Sequence, residues 1–301
     1  MSAIVGTKMG DIGELASGAI EEIIDRATAG IAIGTYADGA SPLSWAALAS
    51  GGWDLVGVRD DDEGAELRDI VALAQVWGTR LLPLPLMESV MAKRHSAAAR
   101  EWDGPVSFAV PTASLGVGSR RYIPFGQVEG LRLATSLGEG GVDSLIDVPE
   151  GTPDGLNLIA RGVEVTENPT AVSDAVAHEL AVVYAATSVG AARRMLDLAV
   201  IFARERRQFG KPIGSFQAVK HHLANVLIAV ESADAAVLRA SLTGQAFGQS
   251  AEYSVNRCLD AAELVLQVHG GLGFTWEMGL HHYLRHIMMA KDVIGGLRCR
   301  V

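Results

Sequence analysis

Hydrophobic positions recur every three or four residues through the C-terminal half of the chain. Leu180, Tyr184, Thr187, Ala191, Met195, Leu198 and Phe202 follow one helix face, while Arg193, Arg194, Asp197 and Arg204 fall elsewhere on the wheel. Phe216, Val219, Leu223, Val226, Val230, Ala233 and Val237 repeat the pattern, and Val255, Cys258, Ala262, Val265 and Val268 make a third stripe. These positions predict a long helix beginning at Ala171, a second after Ser215, a third over 250–268 closed by Gly270 and Gly271, and a shorter fourth over 279–291. Between the first two, Gly210, Pro212 and Gly214 end one helix, and Ser215 is placed to cap the next by accepting a hydrogen bond from a free backbone N–H. The two helices are therefore expected to run antiparallel around a corner at 204–217, RERRQFGKPIGSFQ.

Toward the N-terminus, Ile12, Leu15, Ile20, Ile23 and Ile24 interleave with Glu14, Glu21 and Glu22, which predicts an amphipathic surface helix over 9–29. Segments 43–55, 64–78 and 84–102 are further helical candidates, separated by Gly, Asp or Pro clusters. From Gly104 the texture changes. Short runs at 107–111, 122–125, 131–136, 145–148 and 156–165, broken by Gly, Pro and Asp, predict strands and turns. The expected organisation is mostly α: a helical N-terminal domain at 1–103, a small β domain at 104–166 and a C-terminal antiparallel four-helix bundle at 167–301.

With 301 residues, 49% of them hydrophobic and 20% charged, the chain can bury a sizeable core. A formal net charge of -10, without blocks of Lys or Arg, argues against a nucleic-acid partner or an anionic membrane surface, since such polyanions are held through many basic contacts. No run approaches the roughly 20 apolar residues of a spanning helix, so no membrane insertion is expected. Cys258 and Cys299 have neither metal nor disulfide spacing, and the N-terminus lacks a basic segment followed by a continuous apolar one. A reduced, cytoplasmic protein is expected.

In this acidic chain Arg204, Arg206, Arg207 and Lys211 gather at one corner beside Phe209 and Gln217. Guanidinium groups match phosphate oxygens and stack on flat rings, which suits a dinucleotide. The plainer alternative is a solvated helix end whose arginines complement the helix dipole. His281, His282 and His286 cluster on the last predicted helix, but no further ligand accompanies the i, i+4 pair; an exposed or interface face is the default, and no metal is expected. His221 and His222 are treated alike. Gly270-Gly271-Leu272-Gly273 neither follows a strand nor opens a βαβ unit, so it is not a Rossmann or Walker loop.

The corner pattern RxxFGxPIxxFQ, together with QVHGGLGFTWE at 267–277 and Arg285 in the following helix, resembles the acyl-CoA dehydrogenase family of flavoproteins. The resemblance covers the C-terminal part most closely and extends loosely over the rest, including the LLPLP run at 81–85. It implies an acyl-CoA dehydrogenase-like fold with a reduced middle β domain. It also implies flavin adenine dinucleotide (FAD) as cofactor, with Arg206, Phe209, Gln217, Gln267, Gly270 and Gly271 at the ADP end of a neighbouring subunit's flavin.

The reaction so implied removes an α-proton with a carboxylate while the β-hydrogen leaves as hydride to the flavin. Counting from the motifs puts Leu180 and Ile294 at the two family positions for that carboxylate, and neither can take a proton. Glu179, one residue away from Leu180, and Asp292 are the nearest substitutes. The family's flavin-ring segments, EPxAGSD and KxWITN, are not visible at 104–165, and Gly295-Gly296-Leu297-Arg298 replaces the polar stretch that follows the family's glutamate. The resemblance thus implies a non-catalytic subunit of an α2β2 acyl-CoA dehydrogenase. Such an assembly would share FAD between unlike subunits, form a trans-2-enoyl-CoA from an acyl-CoA, and pass electrons to an electron-transfer flavoprotein. Two alternatives stay open: a homo-oligomer with Glu179 as base, and a flavin-free scaffold.

Overall fold

The structure is a computed structural model that describes residues 11–38, 41–60, 63–114, 120–138, 142–155, 157–166 and 170–298. Three helices open the chain: α1 (Asp11–Thr28), α2 (Trp45–Ser50) and, after a short hairpin of β1 (Arg59–Asp60) and β2 (Glu63–Gly64), α3 (Leu67–Gly78). The candidate segment 43–55 is helical only in part: α2 ends at Ser50, and Trp53–Leu55 forms a 3-10 turn. Segment 84–102 is likewise two helices, α4 (Leu86–His95) and α5 (Ala97–Arg100). They break at Ser96, whose hydroxyl accepts from Ala99 N while the Asp143 carboxylate takes the free N–H groups of Ala97 and Ala98.

Short strands follow: β3 (Val106–Ser107), β4 (Arg121–Ile123), β5 (Arg132–Ala134), β6 (Ser136–Leu137), β7 (Leu145–Asp147), β8 (Thr152–Pro153), β9 (Val163–Val165) and β10 (Ala171–Val172). They form two three-stranded sheets, ordered β3-β5-β7 and β4-β9-β8, and a parallel β6/β10 pair. Ala109, Ile123, Leu131, Leu133, Val163 and Val165 make a separate small apolar cluster. Residues 170–298 then form α6 (Asp174–Glu205), β11 (Arg207–Gln208), β12 (Lys211–Pro212), α7 (Gln217–Thr243), α8 (Phe247–His269) and α9 (Leu280–Arg298).

Helix α6 is the axis of the molecule and packs against α3, α7, α8 and α9. Its periodic face is buried as expected, but burial is nearly continuous from Leu180 to Ala192, because α3 covers the side that a two-layer bundle would leave to solvent. That crossing needs glycine. A Cβ on Gly78 would come within 2.1 Å of Thr187 O, and one on Gly190 within 1.9 Å of Gln75 O. By length and composition alone α6 is apolar enough to cross a membrane, contrary to the expectation from its sequence, yet 83% of its most apolar window is buried inside the fold.

Two local expectations need correction. Ser215 does not cap α7: it lies in a 3-10 turn, its hydroxyl donates to Pro212 O at 2.7 Å, and Phe216 occupies the cap position without a side-chain hydrogen bond. Helix α9 does not end at Lys291 but continues through Gly295-Gly296 to Arg298. The reason is contact: a Cβ on Gly296 would meet Pro111 O at 2.4 Å and Thr112 Cα at 2.5 Å. The two glycines let α9 lie against residues 111–113.

Candidate cofactor half-site

The end of α6 and the end of α8 meet at one end of the bundle, where Phe202 stacks on His269 with ring centroids 4.4 Å apart. Each helix then turns back through a loop that carries predicted site residues. After α6, β11 and β12 form a two-residue hairpin in which Arg207 faces Pro212 and Gln208 faces Lys211. Its tip, Phe209 and Gly210, has φ of 52° and 80°, as a type I′ turn requires. Gly210 adopts this freely, whereas Phe209 is a bulky residue in the left-handed region, 91% exposed. The Lys211 ammonium lies 4.4 Å from the Phe216 ring centroid, and Phe209 meets the same ring edge-on.

Gln217 is the first residue of α7, beside that helix's free N–H groups, a favourable place for an anion. After α8, Gly270 closes the helix with φ 61° and residues Gly270–Phe274 make a 3-10 turn. Arg206, Phe209, Gln217, Gln267, Gly270 and Gly271 are all exposed. Among the described residues, the side chains of Arg206, Gln217 and Gln267 make no hydrogen bond or ion pair, so their donors are available to a ligand. These residues fit the phosphate-bearing, adenine end of a dinucleotide.

Segments 111–114 and 292–296 touch each other. Asp292 O accepts from Ala113 N at 2.9 Å, and its carboxylate accepts from Ser114 N at 2.7 Å and from Ser114 Oγ at 2.5 Å. Ile294 is buried and points into the helix packing. Beside this contact Ala113, Ser114, Asp292 and Gly295 line a cleft of about 560 Å³.

Leu180 lines a different space, a narrow cavity of about 30 Å³ walled by Trp77, Leu82, Phe108, Phe125, Val183 and Met289. That volume holds water but no acyl chain. Sequence reasoning missed the polar groups that converge there. Glu88 from α4 is buried, its Oε1 accepts from the Tyr184 hydroxyl at 3.2 Å, and burial pushes its carboxyl up to about 7. Asn157 is 1% exposed and, among the described residues, its Nδ2 has no partner. The available signal was Glu88 standing as a lone carboxylate within an apolar run, LLPLPLMESVMA. At the cavity edge His286 Nε2 lies 3.0 Å from Thr187 Oγ1, and desolvation lowers its pKa to about 4. His282 is buried against Trp276, and among the described residues no group of three or more His, Cys, Asp or Glu is arranged for a metal.

Glu179 is outside this cavity. Its Oε2 accepts from Arg94 Nε at 3.1 Å and lies 2.9 Å from His95 Nε2. Burial pushes its carboxyl up, but the His95 hydrogen bond and the Arg94 charge outweigh that and hold it below the usual range. Arg94 also donates to Gly57 O and Ala65 O, so Glu179 closes a clamp between α4, α6 and the 57–65 loop.

Comparison with known proteins agrees with the fold and the corner motifs. Residues 171–296 match the acyl-CoA dehydrogenase C-terminal domain. The chain is 30% identical over 229 residues to acyl-CoA dehydrogenase IpdE2 of Mycobacterium tuberculosis, covering 74% of this chain and 72% of that one. It is 33% identical over 261 residues to acyl-CoA dehydrogenase FadE34 of the same organism, covering 81% of this chain and 36% of the longer protein. Among solved structures, one chain of the ChsE4-ChsE5 complex from Mycobacterium tuberculosis superposes with a TM-score of 0.78 at 18% identity, over 97% of this chain and 96% of that one. Butyryl-CoA dehydrogenase from Megasphaera elsdenii gives 0.73 at 13% identity, over 98% and 97%. From the exposed corner motifs to the matched bundle and the relatives aligned along most of its length, this chain belongs to the acyl-CoA dehydrogenase family.

Proposed function

We propose that this chain is the non-catalytic subunit of a two-component, FAD-dependent acyl-CoA dehydrogenase and completes the ADP end of the flavin site in a catalytic partner. The observation that carries this is the mismatch within one chain. The residues suited to the adenine dinucleotide end stand exposed, and among the described residues Arg206, Gln217 and Gln267 have no partner, while the usual positions of the base hold Leu180 and Ile294, both buried and unable to take a proton. The similarity to a chain of the two-component ChsE4-ChsE5 complex supports a second subunit.

When bound, the flavin supplies hydride acceptance; the residues of this chain bind and orient its remote phosphates. The base, the acyl group and the contacts to the ring belong to the partner. The assembly oxidises an acyl-CoA to its trans-2-enoyl-CoA and hands electrons to an electron-transfer flavoprotein, in the cytoplasm. A homo-oligomer using Glu179 as base fits less well, because a base near neutral pH needs a carboxyl that is free and raised, and Glu179 is ion-paired and lowered. A flavin-free scaffold leaves Arg206, Gln217 and Gln267 without a purpose.

The test is to replace Arg206 and Gln267 by Ala in this chain, coexpressed with a full-length dehydrogenase encoded beside it. The expected outcome is a complex of unchanged mass that has lost most of its flavin absorbance. Full flavin retention would contradict the assignment.

A further inference from the structure

The buried side chain of Asn157 is engaged at one end only. Its Oδ1 accepts from Ile159 N at 3.2 Å and from Ala160 N at 3.0 Å, which fixes the amide with Nδ2 at the opposite end. Among the described residues that donor has no acceptor, and a buried donor is rarely left so. Asn157 lines the narrow cavity beside Leu180, and Glu88 stands in the same wall. The Glu88 carboxyl is buried, and one of its oxygens accepts from the Tyr184 hydroxyl at 3.2 Å, a long bond that leaves capacity for more. The other polar side chains of the wall already serve each other. Thr187 Oγ1 donates to Tyr184 O at 2.9 Å, so it accepts from His286 Nε2, which lies 3.0 Å away.

We propose that this cavity is a binding site for one water molecule, which accepts from Asn157 Nδ2, hydrogen-bonds the Glu88 carboxyl, and so ties residues 157–160 to the helical core. Size selects the ligand: a water needs about 10–15 Å³ of free space, and the cavity of about 30 Å³ has room for it but for little more. Chemistry selects it too. A cavity lined only by Leu180, Val183, Phe108 and Phe125 would stay dry, whereas a free amide donor and a carboxyl in one wall give a water the two partners it requires. The bridge runs from the 157–160 stretch through Glu88 on α4 to Tyr184 on α6, three segments that no direct side-chain bond joins to Asn157 among the described residues. The inference stands independently of the two-component reading.

The first arm of the experiment needs no variant: a high-resolution crystal structure of the full chain, alone or in its complex, with and without xenon under pressure. A water within hydrogen-bond distance of Asn157 Nδ2 and a Glu88 oxygen, with xenon excluded, is the expected result. Xenon entering a cavity that shows no water would overturn the proposal, since dry apolar cavities take xenon. The second arm reads amide hydrogen exchange at Ile159 and Ala160 in the wild type, Glu88→Gln and Glu88→Met, each shown to be folded by a thermal melt. Gln keeps a polar partner for the water and is expected to exchange like the wild type. Met removes it and is expected to speed exchange at both amides about fivefold or more. Equal exchange in all three chains would overturn the tie, and if Glu88→Met does not fold, the crystallographic arm decides.

Discussion

Three carboxylates in similar apolar sequence settings have different fates. Glu179 is lowered and clamped by Arg94 and His95, Asp292 caps the 113–114 turn, and Glu88 is buried with one weak donor and raised to about 7. Glu88 therefore binds a proton in the folded chain at pH values where the unfolded chain has released it. Such a group costs no stability below its unfolded value near 4.5, and stability falls as pH rises from there through about 7. The shift corresponds to a loss on the order of 3 kcal/mol. Glu88→Gln is expected to flatten this dependence, so that denaturant unfolding at pH 5 and pH 8 differs much less in the variant than in the wild type. An equal difference in both would show that Glu88 does not carry it.

At the scale of elements, glycines that read as breaks in the sequence are contact surfaces in the structure. Gly296→Ala would drive a methyl group into the Pro111 carbonyl and the Thr112 backbone, neither of which is a flexible side chain. We expect it to destabilise the chain by about 3 kcal/mol, measured by denaturant unfolding, because α9 must shift as a unit. A change within a few tenths of a kcal/mol would mean that the contact is looser than described.

The same glycines mark what the sequence could and could not tell. Helices α6, α7 and α8 were legible because their apolar period is sustained over many turns. The length of α9 was not, because Gly295-Gly296 looks like a terminator until its neighbour is known. The break at Ser96 and the capture of Ser215 by Pro212 depend on local partners, Asp143 and the 3-10 turn, that periodicity does not register. At the site, the exposed corner residues were legible because their types and spacing are unusual for an acidic chain. Glu88, Asn157 and the Arg94–Glu179 clamp were not, because each is defined by residues about 70 or more positions away in at least one direction, or by burial alone.

At the scale of the molecule, one bundle end exposes Arg206, Gln217 and Gln267, while Asp292 and Gly296 of α9 are engaged with the backbone of 111–114. A chain built this way is expected to be incomplete alone and to contribute to a site it does not contain. The most direct measurement is the visible absorption spectrum and light-scattering mass of the chain purified alone and after coexpression with the neighbouring dehydrogenase. A colourless lone chain, and a yellow mixed complex with half as many flavins as chains, is the expected result. A lone chain that is yellow, homo-oligomeric and reduced by an acyl-CoA would contradict the two-component reading and return the search for a base to Glu179.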